Sequence, residues 1–208
     1  MRIFLALSLV MTNKLLLFLF LTLLNHSLLA KPIVDVKRVD FRKTQQYWIQ
    51  MEVQLQCGSN FSSDAKDQDY IENVKAKVYL AYARDTATAV YDYYCSEVEI
   101  VIMEANEDYN LYFYLPGLIA ERDQLNQPDP AFYYVELSVA GVALAPQAGS
   151  AAISAKIANS QVLQSFISKA NQESVVNEFA LMPIYHVPAQ FRSRVEKLPL
   201  FLRRDVRD

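Results

Sequence analysis

The chain has 208 residues, 52% hydrophobic and 21% charged, with a formal charge of −3, the make-up of one ordinary globular domain plus an appendage rather than a disordered tail or a fibrous repeat. Four glycines and two histidines leave little from which to build a phosphate loop, a histidine-based metal site or histidine catalysis, so no cofactor is expected.

From Met11 a short polar start with Lys14 leads into an apolar run, Leu15 to Leu24, and then a polar break at Asn25, His26 and Ser27. These are the regions of a secretory signal peptide in their usual order, so residues 1–30 are expected to be cleaved after Ala30 and the protein exported. The alternative is an uncleaved anchor over Ile3 to Leu24, which Thr12, Asn13 and Lys14 interrupt. Removing residues 1–30 takes away Arg2 and Lys14 and leaves 18 basic against 23 acidic residues, a formal charge of −5. That balance does not suit nucleic acid. The chain keeps Cys57 and Cys95, which an oxidising compartment would join in a disulfide. Closing that loop would contribute about 4 kcal/mol by chain entropy. The alternative is two buried free thiols.

Residues 31–145 read as a β-sandwich core. Val34 and Val36 share a phase that is lost at Lys37 and Arg38 and resumes shifted at Val39 and Phe41, as a bulged edge strand would give. The strongest alternation follows: Tyr47, Ile49, Met51, Val53, Leu55 and Cys57 face one way, Trp48, Gln50, Glu52, Gln54 and Gln56 the other. A polar loop, Gly58 to Asp69, precedes a third strand with Val74, Ala76, Val78, Leu80 and Tyr82 inward. A fourth spans Ala89 to Met103, and a fifth carries Tyr109, Leu111, Phe113 and Leu115 inward before Pro116 and Gly117 stop it. After a charged connection, Tyr133, Val135, Leu137 and Val139 form a sixth strand, whose phase shifts at Gly141 and continues with Val142 and Leu144. Six strands without helical patterns between them predict a mainly β, antiparallel sandwich or barrel.

Residues 146–208 read as a small-residue linker, one short helix and a tail. The helix places Val162, Leu163, Phe166, Ile167 and Ala170 on one stripe, capped by Asn159 or Ser160, and suits a lid on the sandwich. The tail, punctuated by Pro183, Pro188 and Pro199, carries Phe191, Leu198 and Phe201 and ends on Arg203, Arg204 and Arg207. It is expected to pack on its own domain, the alternative being a contact tail that joins a partner by strand addition.

Several aromatic side chains fall on the outward phase: Trp48, Tyr79, Tyr112, Tyr114 and Tyr134. They would either form a platform for sugar rings or a partner's apolar strip, or lie under the helix and tail as a second small core, the reading favoured here. Glu97, Glu99, Glu104 and Glu107 supply carboxylates a glycosidase would need, but alternating acids are also what a solvated strand face looks like. His186 stands among apolar neighbours, where a structural role is expected.

Phe113-Tyr114-Leu115-Pro116, Tyr133-Tyr134-Val135-Glu136-Leu137 with Gly141 behind it, and Met182-Pro183-Ile184-Tyr185 with Pro188 and Phe191 resemble small exported immunoglobulin-like proteins encoded beside type IV pilus genes in mucin-dwelling gut bacteria. The resemblance covers most of residues 33–208. It implies an immunoglobulin-like sandwich serving pilus assembly or surface contact, with no catalytic residues to carry over. Trp48 precedes Cys57, whereas an immunoglobulin domain places its core Trp between its two cysteines. The leading expectation is a non-enzymatic interaction protein of the cell surface whose partners are surface or pilus-assembly proteins, or a second copy of itself. A carbohydrate-binding module comes next and a glycan hydrolase third.

Overall fold

The computed structural model describes residues 32–61, 65–85, 90–146 and 149–202. The expected signal segment and Arg203, Arg204 and Arg207 lie outside them. Among the described residues no helix is long and apolar enough to cross a membrane.

Strand β1 (Val34–Lys43) pairs antiparallel with β2 (Ile49–Cys57), with Val36 opposite Leu55 but Arg38 opposite Gln54, so Lys37 is the extra residue that the phase shift foretold. The other strands are β3 (Tyr70–Asp85), β4 (Val90–Glu104), β5 (Asp108–Leu115), β6 (Phe132–Val139), β7 (Val142–Leu144), β8 (Met182–Pro183) and β9 (Leu200–Leu202). Two antiparallel sheets result, in the orders β1-β2-β5-β8 and β7-β6-β3-β4-β9. In immunoglobulin terms β1, β2 and β5 stand where A, B and E stand, and β7, β6, β3 and β4 take the places of G, F, C and C′. The protein is therefore an antiparallel sandwich of the expected kind.

The inward phases of both sheets meet as expected. Ile49, Met51, Val53, Leu55, Leu111, Phe113 and Leu115 from one sheet bury against Val74, Ala76, Val78, Leu80, Val98, Ile100 and Val135 from the other. Asn73 takes a left-handed φ of 55° within β3, which lets Ile71 and Val74 both reach this core although they differ in phase; asparagine tolerates that conformation better than most residues.

Three sequence expectations need correction. Tyr47 does not belong to β2: it closes a 3-10 turn, Gln45–Tyr47, with φ of 62°, and its side chain is exposed. The sixth strand is not one shifted strand but a hairpin. Ala140 and Gly141 both have positive φ, and Val139 pairs with Val142 across them, the two-residue turn whose twist suits adjacent strands. The third concerns the cysteines. Cys57 and Cys95 are both free. Cys57 lies in the inter-sheet core, its Sγ 3.9 Å from Met103 Sδ, while Cys95 lies on the outer face of β4, its Sγ 3.7 Å from the Ala170 carbonyl. Alternation along β4 turns Cys95 away from the layer that holds Cys57, and no side-chain rotation joins them.

Burial, with Asp108 and Glu107 nearby, pushes the Cys57 thiol up to about 12, and burial also raises that of Cys95. At pH 8 only about one Cys57 in 10,000 would be thiolate. Iodoacetamide should leave native Cys57 unmodified and label both cysteines in urea, and dithiothreitol should not move the melting temperature. A native mass lower by two hydrogens, with stability lost on reduction, would disprove this arrangement.

Helix α2 (Ser160–Glu173) follows most of the expected stripe: Asn159 caps it by accepting the Val162 N–H at 2.9 Å, and Leu163, Phe166 and Ala170 are buried, but Val162, expected on the stripe, is exposed. A shorter helix, α1 (Gly117–Arg122), was not expected; Pro116 sets its start, and it occupies part of the charged connection. The small-residue stretch before α2 is more than a spacer. Ala152 accepts the Val135 N–H and Ser154 donates to the Tyr133 carbonyl, so it lines the β6 edge beyond β7.

Candidate functional site

The five outward aromatics do not share a face, and none is an open platform. Trp48, Tyr112 and Tyr114 stand on the outer face of the four-stranded sheet, where Ile184, Val187 and Phe191 of the tail cover them; Tyr112 and Tyr114 are 1% and 0% exposed. Phe191 stacks on Trp48 with ring centroids 4.5 Å apart. Tyr79 and Tyr134 stand on the other sheet, stacked at 5.8 Å under α2 with Phe166 and Leu163. The second small core is thus two cores, one under the tail and one under the helix.

The tail reaches its own domain by strand addition on both sheets. Met182 and Pro183 pair with Tyr114 and Phe113, and Leu200, Phe201 and Leu202 pair with Ile102, Ile100 and Glu99. Between these points Gln50, fully buried, donates to Tyr114 Oη at 2.7 Å and to the Ser193 carbonyl at 3.1 Å, while Arg42 Nε donates to Gln50 Oε1 at 2.6 Å. The Glu196 N–H donates to Tyr112 Oη. Phe201 packs against Tyr185, and Leu198 is left 40% exposed.

The candidate acids do not converge. Glu97 and Glu99 share Lys75 at 2.9 and 3.5 Å, and Glu107 meets Lys197 at 3.5 Å. Among the described residues no group of three or more His, Cys, Asp or Glu could hold a metal. His186 is exposed beside the Tyr185 ring.

A polar cluster that no sequence pattern announces lies at the α1 end of β4. Arg84 pairs with the buried Asp92, and Arg122 makes a two-pronged contact with Asp123 at 2.6 and 2.7 Å. Tyr94 Oη donates to Asp123 Oδ2, and Arg122 also donates to Asn177 Oδ1. Residues 29 and 55 apart meet here, so no local pattern could announce it. The Arg122 guanidinium and the Tyr94 hydroxyl hold the Asp123 carboxyl below its ordinary range. A depressed folded value contributes stability that is present above the unfolded value, near 4, and is lost as pH falls through the folded one. The urea midpoint should therefore fall on acidification below about pH 4, and Asp123→Asn should flatten that part of the profile while lowering the midpoint at pH 7. Parallel profiles for the two proteins would refute the assignment.

A groove of about 720 Å³ runs beside β4. Among the described residues the outer edge of β4 is occupied at two places. β9 pairs with it from Glu99 to Ile102, and Asn177 Nδ2 donates to the Tyr93 carbonyl at 3.1 Å. No strand among the described residues pairs with the stretch from Cys95 to Val98 on this side. Cys95, Ser96 and Glu97 line the groove along that stretch, opposite Val175, Phe179, Met182 and Tyr185. Phe179 is 71% exposed and has φ of 61°, and Val175 and Val176 beside it are also exposed. A left-handed backbone at a bulky residue is costly, and it is spent here on holding an aromatic ring in water. No local pattern in the sequence marks Phe179, because its exposure follows from the turn that carries it.

No protein-family model matches the chain, and no curated protein is similar to it. The chain is similar in structure to a protein from Akkermansia muciniphila known from its crystal structure, with a TM-score of 0.56 and 13% identity, covering 83% of this chain and 94% of that one. At that identity the similarity bears on the fold alone.

Proposed function

We propose that the protein is an exported, non-enzymatic interaction protein of the bacterial cell surface, associated with pili, that contacts surface or pilus-assembly proteins through the β4 groove. The observation that carries this reading is the groove itself, with Phe179, Val175 and Val176 held in water beside β4. Large apolar side chains clustered on a folded domain mark a contact surface more often than chance exposure does. The type IV pilus resemblance of its motifs supports the same reading. The outward Trp and Tyr residues no longer recommend a sugar platform, since the tail and α2 cover them.

The tagged protein, isolated from its native envelope after gentle crosslinking, should bring down a surface or pilus protein in stoichiometric amount, and Phe179→Ala should lose it while keeping the fold. Equal recovery with the variant, or recovery of glycan alone, would overturn the proposal.

A further inference from the structure

We propose that Asn177 and Arg122 are positioning residues for the contact surface, clamping the turn that holds Phe179 in water so that partner binding depends on α1; this rests on the interaction reading above. Residues Asn177 to Ala180 form a type II turn. Glu178 has φ of −55° and ψ of 136°, Phe179 has φ of 61°, and the Ala180 N–H donates to the Asn177 carbonyl at 3.0 Å. The third position of such a turn needs a left-handed backbone and is ordinarily glycine or asparagine. A phenylalanine there relaxes unless its surroundings hold the turn at both ends.

The two ends are held by different means. Immediately after Phe179 the chain enters the inter-sheet core, with Ala180 and Leu181 both buried. Before it stands the 3-10 turn Ser174–Asn177, of which only Asn177 is buried. The Asn177 side chain donates to the Tyr93 carbonyl of β4 at 3.1 Å and accepts from Arg122 Nη2 at 2.9 Å. Val175 and Val176 are exposed and supply no anchor of their own. Apolar burial therefore fixes one end of the turn, and two hydrogen bonds fix the other. Arg122, the last residue of α1, is held in its turn by Asp123, which accepts from its Nε and Nη2, and Asp123 is held by the Tyr94 hydroxyl. The direction of the Phe179 ring is thus set by groups on α1 and β4 rather than by contacts of the ring itself. A strained residue kept in place by a separate polar clamp is a preorganised contact, since the partner meets a ring already aimed at it.

The turn can be followed by NMR on the 15N,13C-labelled protein, because the Phe179 Cα and Cβ shifts report the sign of φ. Asn177→Ala should move those shifts away from left-handed values and lower the hydrogen-exchange protection of the Ala180 amide by about tenfold, with the β2 and β5 amides unchanged. Recovery of the crosslinked envelope partner should fall several-fold. Arg122→Ala should act in the same direction more weakly, and it decides the matter if Asn177→Ala does not fold. Phe179→Asn, which suits the turn, should melt about 2 °C above the parent and recover no partner. Unchanged Phe179 shifts in Arg122→Ala, a lowered melting temperature for Phe179→Asn, or full partner recovery with the turn released would each overturn the clamp and leave the interaction reading standing. Full recovery by Phe179→Asn or Phe179→Ala is a separate failure, and would remove the interaction reading.

Discussion

A chain ending at Val187 should lose its cooperative fold. That truncation removes Phe191 from Trp48, Val195 from the same cluster, and Phe201 together with the β9 pairing. It also strips the Ser193 carbonyl from Gln50 and the Glu196 N–H from Tyr112. Full burial of a large apolar side chain contributes roughly 1.5–3 kcal/mol. Three partly buried ones together contribute about 5 kcal/mol, before the cost of leaving Gln50 without one of its acceptors. Domains of this size have only about 5–15 kcal/mol to lose. Near-UV circular dichroism should collapse, a hydrophobic dye should bind, and thermal melting should broaden or vanish. Phe191→Ala alone should cost about 2 kcal/mol and keep the transition sharp. A truncated chain that melts like the whole one would show that the tail is not part of the folding unit.

The second large effect is expected at a residue with almost no side chain. A Cβ built on Gly117 would stand 1.9 Å from the Gln46 carbonyl oxygen and close to the Tyr47 backbone. Both obstacles are main chain, in a turn whose residues Gln46 and Tyr47 already hold positive φ, so neither can rotate away. Gly117→Ala should cost about 3 kcal/mol and lower the melting temperature by about 6–12 °C for a chain of this length. The displacement would travel along α1 to Arg122 and Asp123, so the acid dependence assigned to Asp123 should weaken in the same variant. A melting temperature within a degree of the parent would mean that the turn and the helix start are not packed as described.

These two sites show how different parts of the molecule were legible. Strand alternation is a local property, because successive side chains must point to opposite faces; Ile49 to Cys57, Val74 to Tyr82 and Tyr109 to Leu115 could therefore be assigned to the core from their spacing. The bulge at Lys37 and the cap at Asn159 were legible for the same reason, each being written within a few residues. Turn geometry was half legible. Gly141 marked a break, but a phase shift and a two-residue hairpin give nearly the same pattern, and only the positive φ of Ala140 separates them.

Local pattern alone settles the mainly β class, the inward faces of the main strands, the place of α2 and the presence of surplus outward aromatics. It could not determine which sheet each outward face belonged to, because sheet membership depends on pairings between residues far apart in the chain. Trp48 and Tyr114 fell to one sheet, Tyr79 and Tyr134 to the other, and the presumed platform divided into two covered clusters. The cysteines illustrate the same limit: Cys57 and Cys95 lie on different sheets, facing different layers, and their spacing carries no trace of it. That the tail would complete both sheets, that Asp123 would meet Tyr94, and that Phe179 would stand exposed beside the β4 groove came from the fold alone. Each of these is a contact between distant segments, made where backbone and shape leave room for it rather than where a motif announces it.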